Sequence, residues 1–356
     1  MRRNYSLDFF RGVMAFCVAI GHYFYWNGNF SIPLSFILAV DYFFILSGFV
    51  LAFSVLNKKE FNCFSFAKAR FLRLYPVYIF SILLTFIVLK LLHHHLGKLD
   101  FGDIVRILII GEILPFVQSS SFIFFEPLGL SWSISAELWV GVIFFPVLHF
   151  FDKKANQLVF PFLMLIILIC FFIINNYSTN YMNIHYHKFD KLMPFGLIRA
   201  LLGYALGAFI YIIVKYMQNN STKKSENIIS VIQIIIVFFI IYFYAKNDYI
   251  KNNEYYSIFL FSLMIISLSF NKGIIFKLTN NIIGNWFGKI SYPLYLLHPV
   301  GIVINKEIIF SDIFSIPALL FYIIFISIVS ILTHIFVENK FLLYFKSKST
   351  KTMKNY

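Results

Sequence analysis

Residues 7–26 read LDFFRGVMAFCVAIGHYFYW, an apolar run long enough to cross a bilayer that nevertheless carries Asp8, Arg11 and His22. The run follows Arg2 and Arg3 as the core of a signal peptide would. Three ionisable residues and the lack of a small-residue cleavage site mark it instead as a retained helix. At about 100° per residue, Arg11 and His22 are separated by roughly three turns plus 20°, and Asp8 lies about 40° from His22, so all three share one face. Along the axis Arg11 and His22 stand about 16 Å apart, which puts charge near one end and an imidazole past the midplane. That spacing suits a channel for a long anionic ligand. The plainer reading pairs Asp8 with Arg11 at the interface and leaves His22 as a hydrogen bonder in helix packing.

The rest of the chain repeats the pattern. Of 356 residues, 60% are hydrophobic and 13% charged, and polar residues are confined to short gaps between apolar runs. A water-exposed surface cannot be built from such runs, so the expected fold is all-α, a polytopic transmembrane bundle of about ten helices. Approximate spans are 7–26, 34–56, 72–92, 133–150, 158–175, 195–216, 228–245, 255–270, 286–305 and 315–337. The stretch 104–118 is shorter, contains Arg106 and Glu112 and meets Pro115, which reads as re-entrant or interfacial. One membrane domain is expected over 1–341, with a basic tail over 342–356.

The net charge of +14 does not call for nucleic acid. With the N-terminus inside, inward segments hold about 19 Lys and Arg and outward segments about 8, a bias that places both termini in the cytoplasm. Cys17, Cys63 and Cys170 are odd in number and scattered, with neither a disulfide framework nor metal spacing. His93, His94 and His95 have no second cluster at ligand distance and read as a loop, so no metal is expected. Gly203 and Gly207 form a small-xxx-small pair, a sign of close helix packing.

Ionisable groups inside a bilayer cost about 2.5 to 3.5 kcal/mol each on insertion scales, so each is a candidate for function. Besides the first helix these are Asp41, Glu137, Arg199 and His298, with His149 and His334 near span ends. Asp41 has no basic neighbour in sequence, and Arg11 or His22 are candidate partners. Glu137, about one turn inside its span, reads either as a proton-handling carboxylate or as a salt bridge to Arg199. Arg70 and Arg73 stand at i and i+3 in a cytoplasmic loop, where two planar guanidinium forks suit phosphate, although they also read as a topological anchor. Tyr292, Tyr295 and His298 recur every third residue around Pro293. No phosphate-binding glycine loop, nucleophile elbow or zinc-protease motif occurs.

In this order the segments LDFFRGVMAFCVAIGHYFYW, VDYFFILSGFVL, KARFLRLYPVY, LSWSISAELW, LIRALLGYALG, FGKISYPLYLLHP and VENKF resemble the membrane-bound acyltransferase-3 family, which O-acylates bacterial surface polysaccharides. The resemblance runs from residue 7 to about 341. It implies acetyl-CoA or a similar acyl-CoA as donor and a sugar hydroxyl, on a polysaccharide or a lipid-linked glycan, as acceptor at the bacterial inner membrane. The family's essential histidine falls on His22, its first-helix arginine on Arg11 and its RxxR on Arg70 and Arg73. Tyr295 and His298 join that pair as expected acyl-CoA-binding residues. One of Asp8, Asp41 and Glu137 is expected to fix the tautomer of His22, which acts as general base or transient acyl acceptor. Some members carry a C-terminal hydrolase-like domain. The short basic tail here implies that the reaction finishes in the membrane domain or with a separate protein. VENKF departs from the family in lacking a proline after its glutamate. The rival reading is a flippase for a lipid-linked sugar, whose inverted repeats are not found in this sequence.

Overall fold

A computed structural model describes residues 3–29, 36, 38–93, 101–111, 113–114, 130–178, 188–189, 193–219, 226–245 and 254–345. Apolar composition and the need to satisfy every backbone group in lipid leave helix as the available structure, and helices dominate. In chain order they are α1 Tyr5–Trp26, α2 Ala39–Leu56, α3 Cys63–Leu91, α4 Phe101–Ile109, α5 Ser131–Lys154, α6 Asn156–Tyr177, α7 Phe195–Asn219, α8 Glu226–Ala245, α9 Glu254–Ser269, α10 Ile274–Thr279, α11 Ile282–Ile304 and α12 Ile316–Thr333. Short π-helical segments, Asn305–Ile309 and His334–Asn339, extend the last two. The only strands among the described residues are the two-residue pair Lys188–Phe189 and Met193–Pro194.

Nine helices among the described residues are long and apolar enough to cross a membrane, and α9, with 16 residues, is a shorter apolar helix at the position of the remaining expected span. The chain is a polytopic helical bundle. Large apolar side chains such as Leu165, Leu168 and Phe172 on α6 and Ile228, Ile232 and Ile235 on α8 stand exposed, as a lipid-facing surface requires. Of the 104–118 stretch, α4 is helical with Arg106 buried; residues 112 and 115–129 lie outside the described residues, as do His94 and His95.

Two helix pairs organise the centre. α2 lies along α7 with backbones almost touching: a Cβ on Gly203 would fall 2.5 Å from Phe44 Cβ, one on Gly48 2.5 Å from the Tyr204 carbonyl oxygen, and one on Gly207 would collide with the Ile45 carbonyl. The Gly203/Gly207 pair therefore packs as its spacing implies. α1 lies along α11 in the same manner, with Gly12 against Phe287 and Gly288 against Asp8. Both helices open with an asparagine cap: Asn4 accepts from the amides of Ser6 and Leu7, and Asn281 from those of Ile283 and Gly284.

The largest departure from the sequence reading is α3. Asn62 caps it through the Ser65 amide at 2.8 Å, so the helix starts at Cys63 rather than near residue 72, and Arg70 and Arg73 lie on a helix, not in a loop. Pro76 is inside it, as Pro293 and Pro299 are inside α11. In α11 the prolines remove the donors that would bond the carbonyls of Lys289 and Tyr295, and this weakened stretch carries Ser291, Tyr292 and Tyr295 on a polar interior surface.

Candidate active site

Asp8, Arg11 and His22 all reach α11. Asp8 accepts from Arg3 Nε at 2.9 Å and pairs with Arg11 at 3.1 Å. Arg11 also donates to the Gly288 carbonyl and, from Nε, to Ser291 Oγ at 3.0 Å. Three turns on, His22 Nδ1 lies 3.0 Å from His298 Nε2, and the His22 ring stacks on Trp26 with centroids 4.4 Å apart. Both histidines are buried.

Asp41, buried, and Glu137, partly buried in the cavity wall, are paired differently from either expectation. Asp41 receives both Nε and Nη2 of Arg199, at 2.8 and 2.9 Å, and Arg199 also stands over the Trp132 ring. Neither Arg11 nor His22 is its partner. Glu137 takes Arg70 Nη2 at 2.8 Å and Ser47 Oγ at 3.4 Å, not Arg199. Arg70 donates to Tyr204 Oη as well, and Tyr204 in turn donates to the Glu137 carbonyl. Thus the RxxR pair divides. Arg70, 5% exposed, is built into the bundle, whereas Arg73 is exposed and makes no ion pair among the described residues. Arg70 shares a face of α3 with buried Leu74, Val77 and Ser81, and Arg73 is turned about 60° from it, which gives the two arginines their different surroundings.

Arg73 faces a cavity of about 340 Å³ bounded by α1, α2, α3, α5, α11 and the π-helical segment after α12. Its mouth is at the N-terminal ends of α1 and α11, where Arg3, Arg11, Arg73 and Lys289 line it together with His334 and Glu338. His334 Nδ1 and Glu338 are linked at 2.7 Å. Farther in, Ser47, Glu137, Ser133, Ser291, Tyr292 and Tyr295 continue the lining. The hydroxyls of Tyr295 and Ser133 meet at 2.8 Å, and the Tyr295 ring lies 6.0 Å from the ring of His298. His22 and His298 do not line the cavity; they sit one helical turn beyond its inner end. From Lys289 to His298 the rise along α11 is about 14 Å, so one helix carries a cationic mouth, a hydroxyl-lined middle and an imidazole end. No group of three or more His, Cys, Asp and Glu side chains among the described residues is arranged to hold a metal.

Residues 4–335 match a family model described as an acyltransferase domain, that of the acyltransferase-3 proteins. The chain belongs to the acyltransferase-3 family. It is also similar to protein 2 in the picA locus of Rhizobium radiobacter, with 33% identity over 155 residues covering 39% of this chain and 78% of that protein. No solved structure matches. The protein is therefore a multi-pass membrane acyltransferase, and membership in this family sets aside the flippase reading.

Within the acyltransferase bundle, sequence reasoning had found Arg11, Arg73, Glu137 and Tyr295 of the cavity. It missed Lys289, Ser291 and Arg3, which count in sequence only as topological charges or ordinary polar residues. Lys289 stands three residues before Tyr292 and six before Tyr295, a helical-face signal that could have included it.

Proposed function

We propose that the protein is an O-acetyltransferase of a bacterial inner membrane, with both termini cytoplasmic, that moves the acetyl group of acetyl-CoA to a hydroxyl of a surface polysaccharide or its lipid-linked precursor. The observation that carries this reading is the order of groups along the cavity and past its inner end: four cations at the mouth, Arg3, Arg11, Arg73 and Lys289, then hydroxyls, then, one turn beyond the lining, the buried histidine pair. Coenzyme A has the matching shape, a polyphosphorylated nucleotide at one end and a thin neutral arm ending in the thioester. Its phosphates would meet Arg73 and Lys289, and its arm would run along Ser291, Tyr292 and Tyr295.

In this reading His22 Nε2 takes the proton of the acceptor hydroxyl as its oxygen attacks the thioester carbonyl carbon. The C–S bond breaks, the ester C–O bond forms, and the imidazolium returns its proton to the departing thiolate. Arg70 serves structure: its partner Glu137 lies in the cavity wall, and the pair holds α3 to α5.

The test is acetyl transfer from radiolabelled acetyl-CoA in membranes containing the protein, with mass spectrometry of surface polysaccharide from cells with and without it. Loss of O-acetyl groups in cells lacking the protein is expected. Unchanged acetylation, or no label leaving acetyl-CoA, would overturn the proposal.

A further inference from the structure

We propose that His298 is the positioning residue of His22, holding it by a histidine–histidine hydrogen bond in the tautomer whose Nε2 carries no proton. The inference rests on the reading of His22 as the base. It replaces both the carboxylate expected for that role and the donor-binding role expected of His298.

Geometry carries it. The nitrogens are 3.0 Å apart, the ring planes are within 6° of parallel and the centroids stand 5.2 Å apart, close to the most that nitrogen contact allows, so the imidazole lone pair and N–H, both in the ring plane, point at one another. Trp26 stacks on His22 at an interplanar angle of 10° and blocks rotation of the ring out of that plane. The three carboxylates are engaged elsewhere: Asp8 with Arg3 and Arg11, Asp41 with Arg199, Glu137 with Arg70. Each of those pairs neutralises a buried charge, and none reaches the imidazole.

The proton count then follows. For Nε2 of His22 to accept a proton, its Nδ1 must already carry one and donate it to Nε2 of His298, so His298 carries its own proton on Nδ1. The His298 side chain has no exposed surface, and the backbone carbonyls of Leu294 and Tyr295, one turn back on α11, are the acceptors nearest its ring. With Nδ1 turned toward the carbonyls of its own helix, Nε2 is the nitrogen left to face His22. A neutral imidazole is the acceptor suited to this site, since a carboxylate would need a counter-charge, and the Trp26 and Tyr295 rings beside His298 carry none.

The experiment measures acetyl transfer from acetyl-CoA to the endogenous acceptor of membranes containing the full chain, for the wild type, His22→Ala, His298→Ala and His298→Gln. With His298→Ala, kcat is expected to fall about 10²-fold while KM for acetyl-CoA stays within twofold. His298→Gln, whose amide oxygen can accept from His22 Nδ1, is expected to recover kcat to within tenfold of wild type. Binding of acetyl-CoA by purified His298→Ala checks its fold. If that variant is not recovered folded, His298→Gln decides, and a kcat as low as that of His22→Ala overturns the proposal. So does a wild-type kcat for His298→Ala, or a raised KM with kcat unchanged, which would make His298 a donor-binding residue. An active His22→Ala would instead refute the base assignment on which the inference rests.

Discussion

Replacing Arg199 by methionine strands the carboxylate of Asp41 between α2 and α7. Both side chains of this pair are 2–3% exposed and share two hydrogen bonds of 2.8 and 2.9 Å. The glycine contacts of Gly48, Gly203 and Gly207 bring the two backbones too close for water to replace the guanidinium. Breaking a buried pair in this manner costs about 3–5 kcal/mol, or roughly two to four powers of ten in the folding equilibrium. Removing both charges, with Asp41→Leu and Arg199→Met together, exchanges a desolvated pair for apolar packing and should return stability to within about 1 kcal/mol of wild type. Unfolding of detergent-solubilised protein by increasing SDS, followed by tryptophan fluorescence, gives the stabilities, and acetyl transfer gives the function. The expected result is an unstable Arg199→Met and a stable double variant that retains transfer. A single variant as stable as wild type would refute the structural argument. A folded but inactive double variant would show that Asp41 takes part in the chemistry.

Other expectations are more local. Arg73→Ala should weaken acetyl-CoA binding by the purified protein at least about tenfold without loss of stability, because a charge-assisted contact to phosphate contributes roughly 1.5–3 kcal/mol and Arg73 supports no other residue. Arg70→Ala should lose stability first, because it strands Glu137; equal effects of the two substitutions on binding and stability would contradict the division between them. Exposed Cys63, at the start of α3, should react with a membrane-impermeant maleimide in inside-out vesicles and not in spheroplasts. Labelling from the outside would reverse the proposed orientation.

The membrane spans were legible because lipid, as solvent, demands uninterrupted apolar helix, and that demand is written in composition. The glycine pair on α7 was legible for a similar reason: close approach admits few residue types. The start of α3 was not, because charged residues at a membrane end look like a loop, and only the Asn62 cap extends the helix through them. The partners of the buried charges were not legible either. A single sequence lists Asp41, Glu137, Arg70 and Arg199, but which carboxylate meets which guanidinium depends on how α2, α3, α5 and α7 pack. His22 stood out by its cost in a bilayer. Its contact with His298 joins residues 276 positions apart, and only the pairing of α1 with α11 brings them together.

The role of His22 is tested most directly by the rate of acetyl transfer from radiolabelled acetyl-CoA in membranes containing His22→Ala at wild-type abundance, beside its affinity for acetyl-CoA after purification. Transfer should fall by roughly 10²–10⁴-fold with acetyl-CoA affinity preserved, since the cationic mouth lies about 16 Å away along α1. Transfer at the wild-type rate would contradict the central claim.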